Sequence, residues 1–184
     1  MTQQAANGGQ GDQAGRALKS GHSLPRAAPS VKPLLSAALS YAARGWPVFP
    51  CRPDKKPLTP HGFKDAATDA ATIRAWWSRW PEAGIGVDCG AAGLVVIDLD
   101  IKGDADGIAA FDALDIDHDG ALHSRTPSGG LHLVFTARSG AKIGNSAGKL
   151  APGIDVRGDG GYVLLPPSRT DAGGYTALDD WSRA

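Results

Sequence analysis

The stretch LVVIDLD at residues 94–100 predicts a buried strand that ends in two acids. Four apolar residues lead the stretch, as in strands covered on both faces. Because side chains alternate between the faces of a strand, Asp98 and Asp100 are expected on the same face. Two adjacent carboxylates repel each other unless a cation lies between them or one is protonated. Mg²⁺ and Mn²⁺ prefer such oxygen ligands; the alternative is that both acids begin a solvated loop.

The next motif toward the C-terminus is TPSGGLH at residues 126–132. Ser128, Gly129 and Gly130 predict a turn whose backbone N–H groups can face an anion. His132 begins an alternating strand, from which its ring can donate a hydrogen bond to a phosphate. A hairpin turn followed by a structural histidine is the alternative.

A third motif, IDVR at residues 154–157, places Asp155 and Arg157 on one face of a short strand. A carboxylate beside a guanidinium suits a metal-bound triphosphate, because the acid binds the ion and the arginine pairs with phosphate. A structural salt bridge between the two side chains is the alternative.

Around these motifs, hydrophobic periodicity predicts a mixed α/β chain whose strands concentrate in the second half. One helix is expected between Val31 and Arg44, a second from a cap at Thr68 or Asp69 to Trp80, and a short third at 107–114. The second helix carries a tryptophan stripe that is expected in the core rather than against nucleic-acid bases. The predicted strands are Trp46–Phe49, Ile85–Asp88, Leu94–Asp98, Leu131–Thr136, Ile154–Arg157 and Tyr162–Leu165.

The chain of 184 residues predicts one ordered domain and a tail. Residues 1–30 are rich in Gly, Gln, Ala, Ser and Pro, and they have too few large apolar side chains to offset the entropy of ordering, so they are predicted to be disordered. The domain is expected at residues 31–184.

The net charge is zero, but the charges are segregated along the chain. Residues 1–64 hold nine Lys and Arg against two Asp, whereas residues 65–119 hold three basic and twelve acidic residues. A net charge of zero excludes a protein that holds nucleic acid by bulk positive charge. The segregation of charge along the chain favours a localised site.

The sequence also indicates where the protein works. Its longest apolar runs are too short to cross a bilayer, so no membrane partner is expected. The N-terminus lacks the basic start and apolar core of a signal peptide. Cys51 and Cys89 are too few for a disulfide framework and lack zinc-ligand spacing, which predicts buried thiols, no zinc and a reducing cytoplasm.

The three motifs in this order resemble the bifunctional DNA primase/polymerase domain of plasmids, phages and integrated elements, a branch of the archaeo-eukaryotic primase superfamily. The resemblance runs from about Leu35 to Tyr175. Supporting segments are GWPVFP at 45–50, KKP at 55–57, Trp77 with IGV at 85–87, and GYVLLPPS at 161–168.

The resemblance implies an α+β fold in which a modified RNA-recognition-motif-like antiparallel sheet carries the acids beside a smaller N-terminal α/β module. It implies that Asp98, Asp100 and Asp155 are catalytic and hold two Mg²⁺ or Mn²⁺ ions. The domain at 31–184 would then be a nucleotidyltransferase that adds NTP or dNTP units to a 3′-hydroxyl on a single-stranded DNA template.

The same resemblance implies that Ser128 and His132 contact the triphosphate, with Gly129 and Gly130 shaping the turn between them. Arg157 is expected as a further phosphate contact because it alternates onto the face of Asp155, and Lys56 as a nucleotide or template contact. The basic loop at 51–64 offers a path for the template. A separately encoded helicase is a possible partner, since many relatives continue into a helicase domain and this sequence does not.

Two other functions are compatible with the residues. One is a non-catalytic nucleotide or single-stranded-DNA binding module that supports a separate helicase. The other is a phosphohydrolase of the haloacid-dehalogenase type, which also begins with a strand ending in DxD. In that family Thr or Val usually stands two residues after the second Asp, where this sequence has Lys102.

Overall fold

Short helices and antiparallel strands make up the computed structural model, which describes residues 33–181. The predicted disordered tail at 1–30 lies outside the described residues. The helices are α1 Pro33–Ala43, α2 Ala70–Arg79 and α3 Gly107–Asp112, with a 3₁₀ helix at Gly62–Asp65. The strands are β1 Val48–Cys51, β2 Gly84–Asp88, β3 Leu94–Leu99, β4 Ile101–Lys102, β5 Ala105–Asp106, β6 Leu122–Arg125, β7 Leu131–Thr136, β8 Ser146–Ala147, β9 Ile154–Arg157, β10 Tyr162–Leu165, β11 Arg169–Thr170, β12 Gly173–Gly174 and β13 Thr176–Ala177.

The largest sheet has six antiparallel strands in the order β13-β6-β7-β3-β9-β8. Its central strand is β3, which pairs with β7 on one side and β9 on the other. A second antiparallel sheet has the order β1-β2-β10. The fold is therefore mixed α+β with antiparallel sheets, as predicted, while the likeness to an RNA-recognition motif stays a prediction.

The smaller sheet differs from the predicted N-terminal module in one respect. Its strands β1 and β2 come from the first half of the chain, but its third strand, β10, comes from residues 162–165. Helices α1 and α2 pack with it in a core that includes Tyr41, Ile73 and Trp77. This module therefore also includes a strand, β10, from the C-terminal half of the chain.

Both faces of β3 are buried, which explains its uninterrupted apolar run. Leu94 and Val96 join the core that contains α1 and α2. On the opposite face, Leu99 packs with Phe111 of α3 and with Ile154 of β9. The core that contains α1 and α2 covers only the apolar half of β3. The polar end of the strand therefore remains available for a site.

Helix α2 begins and ends close to its predicted limits. Asp69, one of the two predicted caps, accepts a hydrogen bond from the amide of Thr72 at 2.8 Å. The predicted core position of the tryptophan stripe is confirmed for Trp77, which is 3% exposed and donates its indole N–H to the carbonyl oxygen of Ala83. Trp76 and Trp80 are only partly buried.

Several strands differ from the prediction, and the causes are clear for β1 and β6. Strand β1 begins at Val48 rather than Trp46 and includes Pro50, which is tolerated because β1 is the edge strand of its sheet. Strand β6 was not predicted, because its sequence LHSR has no strand pattern of its own. It forms through pairing with β7.

Within residues 33–181, no helix is long and apolar enough to cross a membrane.

Candidate active site

Three of the predicted site residues form one row across the large sheet. Asp98 of β3 lies directly opposite His132 of β7 and directly opposite Asp155 of β9. Residues that face each other across antiparallel strands share a face of the sheet, with Cβ atoms about 5 Å apart. The pairing of β3 with two strands distant in sequence therefore brings the three motifs together.

Asp98 and His132 are in contact within this row. The Nε2 atom of His132 lies 3.4 Å from the Oδ1 atom of Asp98, and both side chains are largely buried. Burial opposes ionisation of Asp98, but the contact with His132 and the positive charges of Arg157 and Lys55 outweigh it and lower the pKa of the carboxyl group. Asp98 is therefore held as a carboxylate.

Asp100 has the opposite electrostatic environment. Burial and the negative charges of Asp98 and Asp155 raise its pKa. Its backbone is fixed by two hydrogen bonds: its amide donates to the carbonyl oxygen of Gly153, and its own carbonyl accepts from the amide of Gly107. A Cβ atom on Gly107 would lie 2.2 Å from the Gly153 carbonyl oxygen, so this junction requires glycine.

Asp155 is bound to groups of its own chain. Its Oδ2 atom accepts a hydrogen bond from Nη2 of Arg157 at 2.7 Å, and its Oδ1 atom accepts one from the amide of Gly148 at 3.0 Å. The predicted placement of Asp155 and Arg157 on one face is confirmed. In the described part of the chain, no group of three or more His, Cys, Asp or Glu side chains is already arranged to hold a metal ion.

The predicted anion turn connects β6 to β7 beside His132. Its amides are partly used inside the turn, because the amide of Gly129 donates to the carbonyl oxygen of Thr126. The hydroxyl of Ser128 lies 3.1 Å from that of Thr126. Gly130 approaches β3 so closely that a Cβ atom there would lie 2.1 Å from the carbonyl oxygen of Leu99. Ser128, Gly129 and Gly130 do not line the cleft described next.

A cleft of about 360 Å³ opens over Asp98 and His132 of this row, whereas Asp100 and Asp155 are not part of its lining. Of the predicted residues, Asp98, His132 and Arg157 line it. The other charged side chain in its wall is that of Lys55, and its aromatic lining comes from Phe63, Tyr162 and Tyr175. The lining of the cleft therefore combines the Asp98 carboxylate, two cationic side chains and three aromatic rings.

Lys55, rather than the predicted Lys56, is the lysine of this cleft. The side chain of Lys56 is 74% exposed, and its Nζ atom lies 3.6 Å from Asp54. The Nζ atom of Lys55 lies 5.9 Å from the centre of the Tyr175 ring, and the Lys55 carbonyl accepts a hydrogen bond from the Tyr162 hydroxyl. Adjacent lysines in a loop give no periodic signal by which the sequence could distinguish them.

The aromatic lining of the cleft was also not predicted from the sequence. The rings of Phe63 and Tyr162 have centroids 5.8 Å apart, and the Tyr175 ring lies 5.5 Å from that of His132. These residues come from a 3₁₀ helix, from β10 and from the segment before β13, so no spacing in the sequence connects them.

Cys51 and Cys89 are buried free thiols, as predicted, and burial raises the pKa of each to about 12.

Comparison with known proteins supplies the family. Residues 38–183 match the family model described as the bifunctional DNA primase/polymerase N-terminal domain. No curated protein is significantly similar to the chain. The match covers α2, both main sheets and every candidate site residue. The chain therefore belongs to the bifunctional DNA primase/polymerase family.

Proposed function

We propose that this protein is a template-dependent DNA primase/polymerase that transfers nucleotides from NTP or dNTP to a 3′-hydroxyl group. The observation that carries the proposal is the row of Asp155, Asp98 and His132 on three neighbouring strands. Asp98 and His132 of this row line a cleft that is also lined by Lys55 and Arg157. Family membership agrees with a nucleotidyltransferase. Replication of a plasmid, phage or integrated element is the setting in which the related domains occur.

The acids have the chemistry required for two Mg²⁺ or Mn²⁺ ions. Asp98, Asp100 and Asp155 supply carboxylate oxygens. Burial and repulsion by the other two acids raise the pKa of Asp100, and bound cations would relieve the repulsion. When bound, such ions lower the pKa of the attacking hydroxyl and stabilise the pyrophosphate leaving group. These three residues would hold them. Each carboxylate oxygen of Asp155 already accepts one hydrogen bond and keeps a second lone pair that an ion could use.

The cationic side chains of the cleft are suited to the triphosphate. Arg157 released from Asp155 can pair bidentately with phosphate oxygens. The Lys55 ammonium group adds a positive charge on the wall that carries Tyr175. The Nε2 atom of His132 faces Asp98 and, when it carries a proton, can donate a hydrogen bond to a phosphate that reaches the acids. These groups would orient the α-phosphate of the nucleotide toward the attacking 3′-hydroxyl.

The aromatic lining and the basic loop complete the proposal. Phe63 and Tyr162 offer ring faces on which a base can stack. The loop at 51–64, which leads into the cleft through Lys55, would guide the phosphates of a single-stranded DNA template. A separately encoded helicase remains a proposed partner.

A non-catalytic nucleotide-binding or DNA-binding module is the second candidate. It is favoured by two observations: both oxygens of Asp155 already accept hydrogen bonds, and the acids of the described residues are not preassembled around an ion. Such a module would bind nucleotide in the cleft without extending a primer.

A primer-synthesis and primer-extension assay on single-stranded DNA distinguishes these candidates. It should be run with ribonucleotides and deoxyribonucleotides, each with Mg²⁺ and with Mn²⁺. The proposal predicts template-dependent products in at least one combination. Nucleotide binding without any product would select the binding module, and hydrolysis of a small phosphate ester without primer extension would select the phosphohydrolase.

A further inference from the structure

Two buried polar atoms without a hydrogen-bond partner lie on neighbouring strands beside the cleft. They are the Nδ1 atom of His132 and the hydroxyl oxygen of Ser124. Ser124 is fully buried and His132 is 3% exposed. A buried polar group that makes no hydrogen bond keeps the full cost of its removal from water, so such groups almost always have a partner.

The sheet register places these two side chains next to each other. Ser124 of β6 lies directly opposite His132 of β7, just as Asp98 lies opposite His132 on the other side. Ser124 therefore extends the row of site residues by one strand, on the same face. At the usual Cβ spacing of about 5 Å, a serine hydroxyl and a ring nitrogen can meet directly or through one buried water.

The contact with Asp98 determines which partner donates. The Nε2 atom of His132 faces the Asp98 carboxylate, which only accepts, so the neutral ring carries its proton on Nε2. The Nδ1 atom is then an acceptor and needs a donor. The Ser124 hydroxyl can supply that donor, while the Tyr175 ring packs against the imidazole ring.

We propose that Ser124 is a positioning residue whose hydroxyl donates a hydrogen bond to Nδ1 of His132, directly or through one buried water. This bond fixes the Nε2–H tautomer and the angle of the ring, so that the N–H points at Asp98 and at the phosphate expected beside it. The effect on turnover rests on the proposed function, whereas the contact itself does not.

Nitrogen NMR of His132 in the metal-free protein at neutral pH tests the contact directly. The wild type is expected to show the Nε2–H tautomer, with an Nδ1 resonance shifted upfield by the hydrogen bond. In Ser124→Ala that resonance should move downfield, toward the position of an unbonded ring nitrogen. An unchanged Nδ1 resonance in this variant would overturn the proposal.

Ser168→Ala is the matched control, because Ser168 is also fully buried but its hydroxyl oxygen accepts a hydrogen bond from the amide of Ile85 at 2.7 Å. It should lower stability and leave the His132 signal unchanged. Ser124→Cys retains a weak donor of similar size, and its Nδ1 resonance should lie between those of the wild type and Ser124→Ala. If Ser124→Ala does not fold, the cysteine variant provides the comparison, and a wild-type resonance in it would count against the contact.

Primer extension separates positioning from a general structural role. Ser124→Ala should lower kcat about tenfold with the nucleotide KM changed less than about twofold, and Ser124→Cys should recover part of the loss. An unchanged kcat together with a shifted Nδ1 resonance would overturn the role in turnover. If the wild type extends no primer, the proposed function fails, while the NMR comparison still decides the contact.

Discussion

Asp98 and Asp100 stand two residues apart, yet their surroundings act on them in opposite directions. His132 faces Asp98 and helps to keep it ionised, whereas burial and the neighbouring acids favour the protonated form of Asp100. The ionised form of Asp98 therefore stabilises the fold, whereas the ionised form of Asp100 opposes it. The two acids should therefore respond differently to the same substitution.

Asparagine in place of each acid tests this difference in the metal-free protein. At neutral pH, Asp100→Asn should raise the free energy of unfolding, because the raised pKa of Asp100 means that its ionisation weakens the fold. Asp98→Asn should lower it, because the lowered pKa of Asp98 means that its ionisation stabilises the fold. Urea titrations in the presence of a chelator measure both changes.

The pH dependence supplies the control for these variants. The gain in Asp100→Asn should vanish as pH falls into the usual carboxyl range, where Asp100 is protonated in the wild type as well. The loss in Asp98→Asn should persist to lower pH and disappear only when the pH passes below the lowered pKa of Asp98. Shifts of the same sign in both variants at neutral pH would contradict the electrostatic account.

The two adjacent lysines provide a second test on single residues. Lys55→Gln should raise the nucleotide KM several-fold, because it removes a positive charge from the wall of the cleft. Lys56→Gln is the matched control, since the Lys56 ammonium group pairs with Asp54 away from the cleft. Steady-state primer extension measures both, and an equal rise of KM in the two variants would argue against the assigned role of Lys55.

Among the elements, the turn from β6 to β7 sets the position of the second motif. Gly130→Ala should destabilise the fold by on the order of 2–3 kcal/mol, because the new Cβ would collide with the carbonyl oxygen of Leu99 on β3. Gly120→Ala is the control, because no atom lies within 4 Å of the added Cβ there and the backbone is not left-handed. Urea unfolding compares the two, and equal stabilities would show that the close approach is not needed.

The strands that were correctly predicted are those whose own residues determine them. The limits of β7, β9 and β10 match the prediction, because alternation or an apolar run marks each of them. Strand β6 could not be predicted, since it depends on pairing with β7. The short strand β13 likewise depends on pairing with β6.

For the candidate site, the sequence predicted the acids and the histidine but not their spatial arrangement. Motif order and spacing identified Asp98, Asp155 and His132, because each lies on a recognisable strand. Their arrangement in one row depends on the register of three strands, which no single segment contains. Lys55 and Tyr175 are positioned by the tertiary fold alone, so the sequence offered no signal for their place in the cleft.

For the whole molecule, the zero net charge limits how the template can be held. With few cationic groups at the cleft, template binding should be weak and sensitive to salt. A slope of about −2 for log K against log salt is expected from roughly three phosphate contacts. Fluorescence anisotropy with labelled single-stranded DNA measures this slope, and affinity should increase when nucleotide and Mg²⁺ or Mn²⁺ are added. Tight, salt-insensitive binding by the metal-free protein would contradict the prediction.

The most direct test of the central claim is primer extension by the Asp98→Ala/Asp100→Ala variant beside the wild type. Circular dichroism and thermal unfolding should first establish that the variant retains its fold. The account predicts template-dependent extension and priming by the wild type, and loss of both in the folded variant, because two of the three proposed metal ligands are gone. Undiminished extension by the folded variant would contradict it.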